Sequence, residues 1–127
     1  MQAVNSESLG RLHDAVVHGV YYDATGANRD VRLSVTCSKR IDFDAWAGRR
    51  VSLIAHDVLA MRHLVWATAD PEQLNLITTE MSDDAKKQLR LFDGTNSRFT
   101  GKALTIAFHS GSSLELLCRE YAFELDM

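Results

Sequence analysis

Apolar and polar positions alternate most cleanly between residues 31 and 38. Val31, Leu33, Val35 and Cys37 take one parity, and Arg32, Ser34, Thr36 and Ser38 the other. Side chains of a strand point to opposite faces in turn, so period two predicts a half-buried strand. The preceding run from His13 to Tyr22 is rich in β-branched and aromatic residues, which also suits a strand. Between the two lies Asp23-Ala24-Thr25-Gly26-Ala27-Asn28-Arg29-Asp30, whose Gly and Asn tolerate positive φ. These features together predict a hairpin.

A second hairpin is predicted at the C-terminal end. Leu104, Ile106 and Phe108 alternate with Thr105, Ala107 and His109, Ser110-Gly111-Ser112-Ser113 turns the chain, and residues 114–125 return. On that return Leu114, Leu116 and Cys118 share one parity, and Tyr121, Phe123 and Leu125 the other. Such a change of inward parity calls for a bulge near Arg119-Glu120, or for burial on both faces.

The middle is less uniform. Residues 5–12 begin with cap-forming residues and suit a turn of helix or a lead-in. Ile41, Phe43 and Ala45 alternate weakly before Gly48. Residues 50–67 fit both two strands bent near His56-Asp57 and a helical face made of Val51, Ile54, Ala55, Val58, Met61 and Val65. The strand reading is preferred for its β-branched content. Ala69-Asp70-Pro71 reads as a turn, and residues 74–81 as a further strand. Residues 82–92 carry the strongest helix signal: Ser82 as cap, Asp83 and Asp84 at the positive end of the dipole, then good helix formers, with Gly94 beyond. The expected fold is one domain over residues 1–127, mainly β and α+β at the margin. It is a single antiparallel sheet, sandwich or partly open barrel, with that one short helix.

Composition narrows the function classes. At 127 residues, with 46% apolar and 24% charged residues, the chain can bury a core without metals or disulfides. The net charge of −3 and scattered basic pairs such as Lys39-Arg40 and Lys86-Lys87 argue against the concentrated basic face that nucleic acid needs. The N-terminus has no basic-then-apolar export signal, and no apolar stretch approaches a membrane span. A cytoplasmic location follows as the expectation, with Cys37 and Cys118 as reduced, packed thiols.

Candidate chemistry centres on His13-Asp14 and His56-Asp57, with His18, His63 and His109. A metal-dependent hydrolase would draw its ligands from His13, Asp14, His18, His56 and Asp57. Adjacent residues of a regular strand face opposite ways, however, so each dipeptide needs a bend to offer both side chains to one ion. Asp42 and Asp44 would project together from an extended segment, as paired carboxylates or as a solvent face. Residues 96–103 end in Gly101-Lys102 but lack both the first glycine and the Ser or Thr of a phosphate loop. Ser110, Ser112 and Ser113 belong to a hairpin turn rather than a nucleophile elbow. Cys118 lies in an apolar setting that does not favour a thiolate. No cofactor motif emerges.

Leu12-His13-Asp14-Ala15, the Val31-Arg32-Leu33-Ser34-Val35 strand and the hairpin from Leu104-Thr105-Ile106 to Leu125 resemble a group of small uncharacterised bacterial β-rich domains. That group includes predicted immunity proteins of polymorphic toxin systems, and the similarity covers most of the chain. The resemblance implies a protein without catalytic residues that neutralises a toxin by binding it. The leading expectation is therefore a non-enzymatic binding protein whose partner is a protein, another chain or a second copy of itself. Tyr21, Tyr22, Trp46, Trp66 and Tyr121 are the candidate interface aromatics. The small metal-dependent hydrolase and a small-ligand-binding β domain are the alternatives.

Overall fold

The computed structural model describes residues 2–3, 9–26, 29–39, 46–66, 71–79 and 102–125. Seven strands run in chain order: β1 (Gln2–Ala3), β2 (Val16–Asp23), β3 (Asp30–Thr36), β4 (Arg50–Leu64), β5 (Leu74–Thr78), β6 (Lys102–Phe108) and β7 (Ser113–Leu125). They form one antiparallel sheet in the order β2-β3-β4-β7-β6-β5, with β1 added beside β7. The predicted helix over 82–92, the Ile41–Ala45 alternation with Asp42 and Asp44, and all but Lys102 and Ala103 of the 96–103 loop lie outside the described residues.

Both predicted hairpins form. At the β2–β3 connection the Asp23 carboxylate accepts bonds from the Thr25 backbone N–H and hydroxyl, at 2.9 and 2.6 Å. These bonds favour the charged carboxylate and hold Asp23 below its ordinary pKa. The first hairpin begins later than predicted, because residues 9–15 are coiled into turns by bonds such as Leu12 N–H to Leu9 O. Strand β2 also carries a register shift between Val17 and Gly19.

Residues 50–64 are a strand, not a helix, and the expected bend is present at the expected residue. Pairing with β7 passes from His56↔Glu120 to Val58↔Cys118, leaving Asp57 and Arg119 out of the ladder. Asp57 takes φ 53°, a left-handed conformation that Asp tolerates better than most residues. One extra residue follows between Val58 and Ala60. Across this break the core changes sides. On the near side Val31, Leu33, Val35, Val51, Leu53 and Phe123 are buried; on the far side Leu104, Ile106, Leu114, Leu116 and Cys118 are. The extra residue thus lies in β4 and not near Arg119-Glu120 of β7, where the inward parity changes without an added residue.

All these residues form one core, which Trp46 closes by meeting Phe123 edge-on at 4.7 Å. The sheet is not closed into a barrel. Its two ends are nonetheless stitched by one antiparallel bridge, Val16↔Gln73, with Val17 N–H to Glu72 O at 2.9 Å and Leu74 N–H to Ala15 O at 2.8 Å. No helix among the described residues is long and apolar enough to cross a membrane.

Candidate functional site

The predicted ligand residues separate into unconnected groups. His13 and Asp14 lie in the turns before β2, at the stitched end of the sheet. His56 and Asp57 lie at the break in β4, eight residues of strand before Leu64, whose partner Ser113 opens the return from the 109–112 turn. His18 is elsewhere again, with its Nε2 2.6 Å from the Thr36 hydroxyl. Among the described residues no group of three or more His, Cys, Asp or Glu is arranged to hold a metal ion.

At the break, His56 Nδ1 lies 3.5 Å from Asp30 Oδ2, and Arg119 Nε 3.5 Å from Asp57 Oδ2. Asp57 N–H donates to Asp30 Oδ1 at 3.2 Å, and Val58 N–H to Arg29 O at 2.6 Å. Three of these contacts tie the bend to Arg29 and Asp30 at the start of β3, and the exposed Arg119 reaches it from β7. The group is structural.

The stitched end is a denser polar cluster. Asp14, at φ 61°, directs its carboxylate between two imidazoles: His109 Nε2 donates to Oδ1 at 2.9 Å, and His13 Nε2 lies 3.6 Å from Oδ2. His13 Nδ1 faces the Asn75 carbonyl, which can only accept, so that nitrogen carries a proton. Glu72 holds the other side, taking the Ser110 hydroxyl at 2.6 Å and the Ser110 and Gln73 N–H groups at 3.3 Å. Ser110 and His109 are neighbours in sequence but are partnered separately. The hydroxyl donates to a carboxylate and the imidazole turns to Asp14, so the two do not form a nucleophile–base pair. The cluster works as a clasp joining the turns, β5 and the β6–β7 connection. Glu72 was not among the sequence candidates, because no spacing rule links it to Ser110.

Between the turn segment and β5, Leu9, Leu12, His13, Leu74, Asn75 and Ile77 line a shallow cleft of about 30 Å³. That is room for about one water, far below the few hundred Å³ of an organic-ligand pocket.

The remaining feature is apolar and exposed. Strand β3 pairs with β4 only as far as Val31↔Ala55. Beyond it, among the described residues, β4 has β7 on one side and no strand on the other. There Leu59, Met61, Leu64, Val65 and Trp66 are 57, 41, 44, 63 and 60% exposed. Single exposed apolar residues are ordinary, but five within eight positions of an open edge are not. Trp66 is held by its backbone: its N–H donates to Ser112 Oγ at 2.8 Å, and that hydroxyl lies 3.3 Å from the Trp66 carbonyl. Its indole is nearest to the position a side chain would take at Gly111 (φ 91°).

Of the other aromatic candidates, Tyr21 and Tyr22 are exposed on β2 and Tyr121 is half-buried, with Lys102 Nζ 5.6 Å from its ring. Trp46, at 2% exposure, is a core residue and offers no surface. Sequence reasoning singled out Trp66 and missed its four apolar neighbours. Their signal is the run Val58-Leu59-Ala60-Met61, apolar at both parities, which reads equally as a helix or as a strand with no polar face.

Cys37 and Cys118 are both buried thiols. Burial pushes the Cys118 thiol up to about 11, against a smaller opposing effect of Lys102. Burial likewise raises the Tyr121 hydroxyl. A thiol held protonated in this way is a poor nucleophile at neutral pH. Compared with protein-family models, with curated proteins and with solved structures, the chain finds no match.

Proposed function

We propose that this chain is a non-enzymatic binding protein that meets its partner protein along the open edge of β4. The observation that carries the reading is the run of exposed apolar side chains from Leu59 to Trp66, which ends in a tryptophan whose backbone N–H is bonded to Ser112 Oγ. An open strand edge offers N–H and C=O groups to an incoming strand, while side chains on both faces supply specificity. Tryptophan is among the commonest anchors of such contacts. The sequence resemblance supports one finer reading, an immunity-type protein that neutralises a toxin by occupying it. In that reading the edge covers part of the toxin and no catalysis is required of this chain.

Native mass spectrometry on the protein drawn gently from its source cells tests the proposal. The expected result is a complex with a second protein that is lost in Trp66→Ala and Met61→Lys variants and kept in Tyr21→Ala. A complex indifferent to all three substitutions would remove the β4 edge from the function. A mass raised by a metal ion would sink the binding reading and return attention to the histidines.

A further inference from the structure

We infer that the open edge of β4 pairs with the same edge of a second copy, antiparallel and centred on His63. The inference deepens the proposed function, since it rests on the same edge and names one occupant for it.

The register follows from which peptide groups point outward. Along a strand, the N–H and C=O of one residue point to the same side and alternate with those of the next. Both backbone groups of Trp66 face Ser112 at the start of β7. Leu64 and Arg62 therefore face β7 as well, and Val65, His63 and Met61 face outward. Counting from the other end agrees. Val58 N–H faces the β3 side, where Arg29 O takes it. The extra residue between Val58 and Ala60 turns both Leu59 and Ala60 towards β7, and Met61 is the next outward residue. Among the described residues, the outward set with no strand to pair with is thus Met61, His63 and Val65.

A two-fold axis between antiparallel strands places one residue opposite its own copy. Centring on His63 sets His63 against His63, Met61 against Val65 and Val65 against Met61, so every outward N–H and C=O finds a partner. Centring on Met61 brings His63 against Leu59, whose groups face β7. Centring on Arg62 opposes two guanidinium groups and leaves Val65 unused, and centring on Leu64 sets Met61 beyond the last described residue, Trp66. Charge and hydrogen bonding select the same register.

The side chains agree with it. Met61 meets Val65 on one face; on the other, Arg62 lies along Leu64 and the large Trp66 meets the small Ala60. Five large apolar side chains, 41–63% exposed in each copy, line this edge, and a single pair of strand edges belongs to the small interfaces, below about 1,200 Å², of weak complexes. A weak, reversible dimer is what such an area supports.

The test is a symmetric disulfide. Directly opposed, hydrogen-bonded residues have Cα atoms ~5.5 Å apart, within disulfide reach, whereas a residue one step off the axis lies beyond ~7 Å from its copy. Purified His63→Cys protein should cross-link to a dimer under mild oxidation, while Leu64→Cys, equally accessible, should stay largely uncrosslinked. The native Cys37 and Cys118 are buried and give no background. Unmodified protein at roughly 100 μM, a concentration that populates interactions of modest affinity, should show twice the chain mass by light scattering. Val65→Pro, which removes an outward N–H, should return it to one. A single-chain mass at that concentration, or cross-linking at 64 as fast as at 63, would overturn the inference. A monomer that still captures a second protein through this edge leaves the proposed function standing, and a dimer that captures none does the reverse.

Discussion

Strands β4 and β7 run side by side for most of their lengths, yet the two halves of that pair stand in different surroundings. Near the start of β4, β3 covers its outer side and the core residues Leu53 and Phe123 face each other in register. Past Asp57 the same ladder continues with β6 beyond β7 and nothing strand-like beyond β4 among the described residues. The backbone bonding to β7 is similar in the two halves. What changes is the second neighbour, and with it whether apolar side chains are core or surface. In this molecule the apolar side chains of β4 are buried where it is flanked twice and exposed where it is flanked once.

The most forceful way to break the comparison is to truncate one apolar side chain in each half. Phe123→Ala should cost about 3–5 kcal/mol, the usual range for emptying a buried aromatic site. Trp66→Ala should stay within about 0.5 kcal/mol, as exposed positions do. Urea midpoints of the two variants decide it, and equal losses would dissolve the distinction.

The next effect lies at the junction, where Cys118 pairs with both Val58 and Lys102. Its folded-state pKa of about 11 lies above the ordinary value of 9.0. The folded state therefore holds the proton more tightly, and the associated stability is complete below about pH 9 and lost as pH climbs through about 11. Loss of roughly 1.4 kcal/mol per pH unit across that window is expected, with Tyr121 acting in the same direction. Cys118→Ala should flatten the alkaline slope, and an unchanged slope would place the loss elsewhere.

A smaller effect sharpens the role of the break. Asp57→Val should lose about 1–3 kcal/mol, because a β-branched residue resists φ 53°. Asp57→Gly should stay near neutral, since the half-exposed pair with Arg119 contributes little. Smallest of all, His109→Ala should cost below about 1 kcal/mol, its partner Asp14 being exposed. Hydrogen exchange should then quicken at Leu74 and Val17 while β4 and β7 keep their protection.

Most of the sheet was legible because alternation is a local signal. Val31 to Cys37 and Leu104 to Phe108 each state their own parity, and the change of parity along β7 announced a break before its geometry was known. The position of His56-Asp57 as a bend was legible too, from a polar pair inside an apolar run. Strand order was not, because pairing β4 with β7 depends on residues from 49 (Leu64↔Ser113) to 74 (Val51↔Leu125) positions apart. The clasp was half legible: His13-Asp14 drew notice as a possible ligand pair, but its partners His109, Glu72 and Ser110 come from other elements. The open edge was hidden for a different reason. Leu59, Met61 and Val65 look like core to any rule based on hydropathy, and only the early end of β3 leaves them outside.

The β4–β7 ladder also divides the chain in a way that sequence order does not suggest. Strands β2, β3 and β4 form one meander and β5, β6 and β7 another, each joined within itself by neighbours in sequence. The meanders meet along this ladder, the Val16↔Gln73 bridge and their shared core. A cut between Trp66 and Pro71 leaves every strand of the described residues whole. Residues 1–66 and 71–127, made separately, are therefore expected to complement one another by completing a common sheet, read as strand circular dichroism that appears only on mixing.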